Sequence, residues 1–246
     1  MANPEDTILL IVGHGAADAP RAADAVTSHA QAIASREIFA DVRSGFLRQE
    51  PFAKTVLGQI GGRSVVVVPH FAADGYIAGE VLPGELGIGD GTALTKAIGS
   101  HPDIPAAAAD LVLTEARNAG IDPGGTDIVV VGHGTRRNDR SETSTARLAE
   151  LVLAETGAAS CTAAFLEIDP LIEDWRAFTS RPHVVVLPNL FAAGFHGAED
   201  IPARLGAPGE RQLHLCPPLG TAPVMADLIV DRALSCLAQT EETQHA

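Results

Sequence analysis

The chain carries one sequence pattern twice, at a constant offset of 119 residues, the separation of His14 and His133. An apolar run leads into Gly-His-Gly in each copy, at residues 13–15 and again at residues 132–134. Four blocks in register are hard to obtain by chance, so the chain consists of two copies of one unit. Besides the Gly-His-Gly block, the matching segments are 46–51 with 165–170, 65–69 with 184–188, and 75–83 with 194–202.

A connection rich in proline and glycine, residues 120–125, separates the two copies and has no apolar periodicity. We therefore predict a first half over residues 1–122 and a second half over residues 123–246. Each half is long enough to bury a core of its own.

Strands and helices alternate within each half, which predicts an α/β fold with a doubly wound parallel sheet in each copy. Apolar runs rich in β-branched residues, such as 65–69 and 128–131, are typical of strands buried on both faces. Ligands bind beyond the carboxyl ends of such strands, so we expect a site in a cleft between the two halves.

Three further segments are of interest for the helix predictions. Residues 70–91 are too many for an ordinary strand-to-helix connection, and we expect them to be functional or partly helical. The pattern also predicts helices over 170–178 and 222–237, with a frayed end over 240–246.

Composition excludes several classes of protein. A formal charge of −14 argues against nucleic-acid binding, which needs a dense basic surface. No apolar run approaches the roughly 18 residues of a membrane span, and the first residues lack signal-peptide features, so we expect a cytoplasmic protein. The three cysteines have no CxxC spacing, which argues against a thiolate zinc site. A monomer is the default, and a homodimer stays open.

The polar residues that follow the strands differ between the copies. His14 and His133 match, whereas Glu167 falls opposite Arg48 and His196 falls opposite Ile77. Only the second copy therefore has two imidazoles and a carboxylate at its strand ends. Such a group suits a divalent transition ion and leaves coordination positions open, and it equally suits general acid–base chemistry.

Three motifs of the second copy carry a family resemblance. They are the strand with its Gly-His-Gly turn, Phe-Leu-Glu-x-x-Pro at 165–170, and Leu-Pro-x-Leu-Phe-x-x-Gly-x-His-x-x-Glu-Asp-Ile-Pro at 187–202. Together they resemble the class II chelatases, specifically the sirohydrochlorin cobaltochelatases and ferrochelatases. The resemblance covers nearly the whole chain and implies ATP-independent insertion of Co²⁺, or of Fe²⁺ or Ni²⁺, into a sirohydrochlorin-type tetrapyrrole, with no organic cofactor.

The resemblance also implies residue roles. His133 and His196 would bind the ion and accept pyrrole protons, and Glu167 would be the third, acidic ligand. Glu80 resembles a carboxylate that reaches across the cleft in bacterial relatives.

The substrate of such an enzyme bears eight carboxylates, so this acidic chain needs local cations to bind it. Arg136, Arg137 and Arg140 follow His133 directly and are placed to contact these groups. His14 lacks the partner residues of a metal site, and we expect it to contact substrate or to serve the turn.

Two other hypotheses stay open at this point. One is a noncatalytic carrier that binds a metal ion or a tetrapyrrole, and the other is acid–base chemistry on a small anionic substrate. We expect the remaining histidines to be surface or helix-end groups and Trp175 to pack within the fold. These histidines are His29, His101, His183, His214 and His245.

Overall fold

The computed structural model describes residues 3–89, 91–135, 140–192, 200–207, 209 and 211–244. The chain forms two compact units. Unit 1 comprises Met1–His101 together with Pro223–Ala246, and unit 2 comprises Pro102–Ala222. Among the described residues, no helix combines the length and apolar character needed to cross a membrane.

Unit 1 is built on a four-stranded parallel sheet of order β2-β1-β3-β4. Helices connect the strands, and a π-helical turn over Ile77–Val81 precedes the third helix. The segment 70–91 is thus partly helical, as predicted. In chain order the elements are β1 (Ile8–Gly13), α1 (Asp24–Ala34), β2 (Asp41–Phe46), α2 (Ala53–Ile60), β3 (Val65–Pro69), α3 (Leu82–Leu86) and β4 (Thr92–Leu94).

Unit 2 repeats this architecture with a parallel sheet of order β6-β5-β7-β8. The predicted α/β class, with one parallel sheet in each copy, is confirmed. In chain order the elements are α4 (Ile104–Ala119), β5 (Thr126–Gly132), α5 (Arg140–Thr156), β6 (Ser160–Phe165), α6 (Trp175–Phe178), β7 (His183–Pro188), α7 (Ile201–Leu205) and β8 (Gln212–Leu215). The chain closes with α8 (Met225–Gln244), which belongs to unit 1.

The two repeats exchange their last helices. Helix α4 belongs to the first repeat by sequence but packs against α5, β7 and β8 of unit 2. Helix α8 belongs to the second repeat but packs against α1 and β3 of unit 1, where Asp227 accepts from Arg36 at 2.6 Å. The compact units therefore differ from the repeats divided at residue 122. Periodicity in a sequence reports that a helix has a buried face, not which sheet covers it.

Both sheets are buried on two faces at their centres. The apolar residues of β1, β3, β5 and β7 are almost wholly inaccessible to solvent, which agrees with their continuous apolar sequences. Each sheet has helices on its faces, so the strand ends are where polar groups are expected to meet a ligand.

A buried carboxylate fixes the start of β5. Asp127 accepts hydrogen bonds from the Ser160 hydroxyl at 2.7 Å and from the amides of Ser180 and Arg181 at 2.5 and 2.8 Å. Burial acts to raise the pKa of Asp127, but these hydrogen bonds outweigh it and leave the pKa below its usual range. The ionised side chain thus ties β5 to β6 and to the segment before β7.

Two helix predictions were wrong in extent. Residues 170–178 form a 3₁₀ turn over Ile172–Asp174 followed by the short α6, rather than one helix. Helix α8 continues to Gln244, so the frayed end predicted from residue 240 is not found within the described part of the chain. No glycine or proline follows Pro223, and the polar residues after Leu237 are compatible with a helix.

Four of the histidines predicted as surface or helix-end groups lie within the described residues and make contacts inside the fold. His29 and His101 are buried, with His101 Nε2 lying 2.9 Å from Asp231 on α8. His183 and His214 contact each other across β7 and β8 at 3.3 Å. Sequence spacing could not show these contacts because each joins segments that are distant in the chain. His245 lies outside the described residues. Trp175 is fully buried as predicted, and its indole N–H donates to the Leu205 carbonyl at 3.0 Å.

Candidate metal centre

Two glycines place His133 at the carboxyl end of β5. A side-chain carbon on Gly132 would lie 2.6 Å from the Thr145 hydroxyl oxygen, and one on Gly134 would lie 2.7 Å from Ile168. Gly134 also has a φ of 73°, a conformation that strains residues with a Cβ. The Gly-His-Gly sequence is therefore a close-packed turn, and its packing aims the histidine out of the strand.

The turn also sets the tautomer of the neutral imidazole. His133 Nδ1 lies 2.9 Å from the Gly134 carbonyl oxygen. A carbonyl oxygen only accepts hydrogen bonds, so we assign the proton of the neutral ring to Nδ1. The lone pair then resides on Nε2, which is the form in which histidine binds a metal ion.

Glu167 lies two residues beyond the end of β6, with its carboxylate near this nitrogen. Its backbone N–H donates to the His133 carbonyl at 3.1 Å, and its carboxylate Oε1 lies 3.8 Å from His133 Nε2. First-row ions such as zinc bind imidazole nitrogen and carboxylate oxygen at about 2.0–2.2 Å. Two such bonds can bridge atoms 3.8 Å apart at a bent angle. The side chains are 44% and 56% exposed, so a macrocycle can reach the ion.

Several predicted site residues lie outside the described part of the structure: His196, Arg136 and Arg137. Arg140 begins α5, but its side chain is not described. Within the ranges that the structure describes, no three His, Cys, Asp or Glu side chains form a group able to hold an ion. The structure thus describes two of the three residues predicted as ligands, His133 and Glu167, and their role as ligands stays a prediction.

The first repeat has the same turn with different chemistry. His14 Nδ1 lies 2.8 Å from the Gly15 carbonyl, and the Arg48 amide donates to the His14 carbonyl at 2.8 Å. Where Glu167 stands in unit 2, the Arg48 guanidinium binds the Glu85 carboxylate through bonds of 2.9 and 3.2 Å. The hydrogen bond and charge of Glu85 raise the pKa of Arg48. At this position unit 1 has a guanidinium in place of a carboxylate, so it has the turn without the ligand pair.

Glu80 lies in the π-helical turn of unit 1 and is exposed to solvent. The exposed Tyr76 and Ile77 lie four and three residues before it in the sequence. Its carboxylate is available to a cationic or hydrogen-bonding ligand, and its contact with a macrocycle stays a prediction.

One arginine near Glu167 was missed by the sequence analysis. Arg204 on α7 donates to Asp200 at 2.7 Å, to Glu173 at 2.9 Å and to the Leu166 carbonyl at 3.0 Å. The signal was present in the sequence, because the offset of 119 places Arg204 opposite Glu85 and Glu167 opposite Arg48. The acidic and basic positions of the pair are exchanged between the repeats.

Comparison with known proteins identifies the class. The CbiX family model matches residues 8–115 and again residues 127–236, one match in each repeat. A curated relative from Halobacterium salinarum, "Probable sirohydrochlorin cobaltochelatase", is 28% identical over 92% of this chain and 90% of its own length. The matching regions contain both Gly-His-Gly turns and Glu167.

Two solved structures share the fold. The structure of CbiX described as the terminal enzyme for biosynthesis of siroheme in denitrifying bacteria is 25% identical, with a TM-score of 0.75 over 92% of this chain and 98% of that one. DR2241 from Deinococcus radiodurans is a multi-domain protein with structural similarity to chelatases and is 23% identical, with a TM-score of 0.75. The match covers 92% of this chain but only 54% of DR2241.

The fold and the repeats thus define a chelatase-like protein with two α/β units. The chain belongs to the CbiX family.

Proposed function

We propose that this protein inserts a divalent metal ion into sirohydrochlorin without ATP, with Co²⁺ as the preferred ion and Fe²⁺ or Ni²⁺ as alternatives. The observation that carries the proposal is the pair of ligand atoms in unit 2, His133 Nε2 and Glu167 Oε1, 3.8 Å apart at the strand ends. The names of the relatives support the substrate, since one is a probable sirohydrochlorin cobaltochelatase and the other acts in siroheme biosynthesis.

Weak binding of the ion is part of the mechanism. A chelatase must release its ion to the macrocycle, so few ligands and open coordination positions serve it better than a closed tetrahedral cage. His133, Glu167 and, by our proposal, His196 supply that kind of site. Imidazole and carboxylate ligands discriminate only weakly between Co²⁺, Fe²⁺ and Ni²⁺. Which ion is inserted therefore depends partly on which ion is available to the protein.

The same groups can accept protons. Insertion of one ion releases two protons from the inner pyrrole nitrogens of the macrocycle. As the ion passes to the macrocycle, His133 Nε2 and the Glu167 carboxylate lose their metal bonds and become bases able to accept these protons. The Gly134 carbonyl stabilises the resulting imidazolium, because it already accepts from Nδ1.

Charge around the site must favour a polyanionic substrate. The chain has a formal charge of −14, which repels eight carboxylates unless cations lie nearby. We assign this role to Arg136 and Arg137, which follow the turn in sequence, and we assign further substrate contacts to His14 and Glu80.

An anaerobic absorption assay with Co²⁺ and sirohydrochlorin tests the proposal. We expect turnover by the wild-type protein, and loss of turnover in His133→Ala, Glu167→Ala and His196→Ala. The matched variant His14→Ala alters the same turn in the first repeat, where Arg48 replaces the acid, so it should keep Co²⁺ affinity and change only the KM for the macrocycle. Binding of the macrocycle or ion without turnover would instead support a carrier, and turnover that survives chelators would support acid–base chemistry without metal.

A further inference from the structure

The peptide that joins Leu166 to Glu167 is bound at both ends. Its N–H group, on Glu167, donates to the His133 carbonyl at 3.1 Å. Its carbonyl, on Leu166, accepts from Arg204 Nη1 at 3.0 Å. A peptide unit is planar, so holding its two polar groups fixes the position of the Glu167 Cα, from which the side chain leaves the backbone.

Arg204 is itself held firmly. Its Nε donates to Asp200 at 2.7 Å, and Nη1 donates to Glu173 at 2.9 Å as well as to Leu166. Asp200 is only 13% exposed, and Arg204 is 31% exposed, so this network is more shielded than a typical surface ion pair. The guanidinium therefore joins α7 and the turn over Ile172–Asp174 to the end of β6.

The first repeat shows what happens at the same place without this arginine. There Arg48 occupies the position of Glu167, and its own Nη1 donates to the Leu47 carbonyl at 3.1 Å, the counterpart of the Leu166 carbonyl. Glu85 occupies the position of Arg204 and binds Arg48. Both repeats thus place a guanidinium on this carbonyl, but in unit 2 it comes from α7, which leaves the position after β6 open to an acid.

The two acids that bind Arg204 also differ between the repeats. Asp200 and Glu173 stand where the first repeat has Val81 and Lys54. Their carboxylates satisfy the guanidinium, while the Glu167 carboxylate faces His133 Nε2. The charge pattern therefore differs between the repeats at four positions.

We propose that Arg204 is a positioning residue for the metal ligand Glu167. It holds the Leu166 carbonyl and, through its bonds to Asp200 and Glu173, fixes the peptide from which the carboxylate projects towards His133. The inference rests on the proposed function, in which Glu167 binds the ion. Groups that orient a metal ligand typically change metal affinity by 10–100-fold when they are removed.

A double-mutant cycle in Co²⁺ affinity tests the inference. Binding of Co²⁺ alone is measured from the absorption of the bound ion. We expect Arg204→Ala to weaken Co²⁺ binding by roughly 10-fold or more, and Arg204→Lys to weaken it less, because an ammonium can still donate to the carbonyl. In the Glu167→Ala background Arg204→Ala should have no further effect, since the side chain that it positions is gone. If Arg204→Ala fails to fold, Arg204→Lys carries the same cycle.

Arg211→Ala is the matched control. Arg211 also lies in unit 2 and donates to Thr179 at 2.6 Å and to the Arg176 carbonyl at 3.1 Å, so its removal costs hydrogen bonds without touching Leu166. We expect unchanged Co²⁺ affinity. An Arg204 effect of equal size with and without Glu167, or no effect with Glu167 present, overturns the inference. Co²⁺ binding that is indifferent to Glu167 refutes the proposed function instead.

Discussion

Replacing Gly134 by alanine should damage the fold and the candidate site together. The residue has a φ of 73°, where a Cβ costs roughly 1–2 kcal/mol. The added methyl would also lie 2.7 Å from Ile168 and 3.0 Å from Phe165 Cβ, and forcing an extra methyl into a packed position costs about 1–3 kcal/mol. We expect Gly134→Ala to lower the free energy of unfolding by about 2–5 kcal/mol.

Gly157→Ala separates the cost of the backbone conformation from the cost of the steric contact. Gly157 has a similar φ of 64°, but a Cβ there would meet nothing within 4 Å. This variant should lose only the roughly 1–2 kcal/mol of backbone strain. Urea unfolding of the wild type and both variants measures the difference, which we expect to be about 1–3 kcal/mol.

The same pair of variants tests the role of the turn in the site. In Gly134→Ala the carbonyl that holds His133 Nδ1 must shift, so Co²⁺ affinity should fall, whereas Gly157→Ala should bind Co²⁺ like the wild type. Equal losses of stability in the two variants would refute the packing argument. Unchanged Co²⁺ affinity in Gly134→Ala would refute the claim that this turn positions the ligand.

Three further predictions concern the fold. Asp127 has a pKa below its unfolded value. Its contribution to stability is therefore present above the unfolded pKa and is lost as pH falls through the folded pKa. The urea midpoint of the wild type should fall more steeply on acidification than that of Asp127→Asn. Burial raises the pKa of Cys161 and Cys216 to about 12, so a thiol reagent at pH 8 should label them only after unfolding. Trp175→Phe removes the donor to the buried Leu205 carbonyl and should cost about 1–3 kcal/mol in urea unfolding, and a loss below 0.5 kcal/mol would contradict that bond's importance.

Local sequence signals were sufficient for the repeat, the strands and the Gly-His-Gly turns. The β-branched runs of β3 and β5 predict buried parallel strands because no polar residue interrupts them. The offset between the copies also identified Glu167 as an acid with no counterpart. These features depend on residues close in sequence or on the repeat itself.

Long-range packing was not predictable in the same way. The exchange of α4 and α8 between units depends on which sheet covers each helix, and the strands of both sheets contribute apolar residues to a buried core. The contact of the buried His101 with the exposed Asp231 and the network of Arg204 join residues far apart in the chain. Comparing the charges of the two repeats at positions 48, 85, 167 and 204 would have pointed to that network.

The central claim is that His133 and Glu167 share one divalent ion. The most direct measurement is anomalous diffraction at the cobalt edge from crystals of the full chain soaked in Co²⁺. We expect a peak within about 2.2 Å of both His133 Nε2 and a Glu167 carboxylate oxygen. A peak beside His14 or between His183 and His214, with none between His133 and Glu167, would contradict the account.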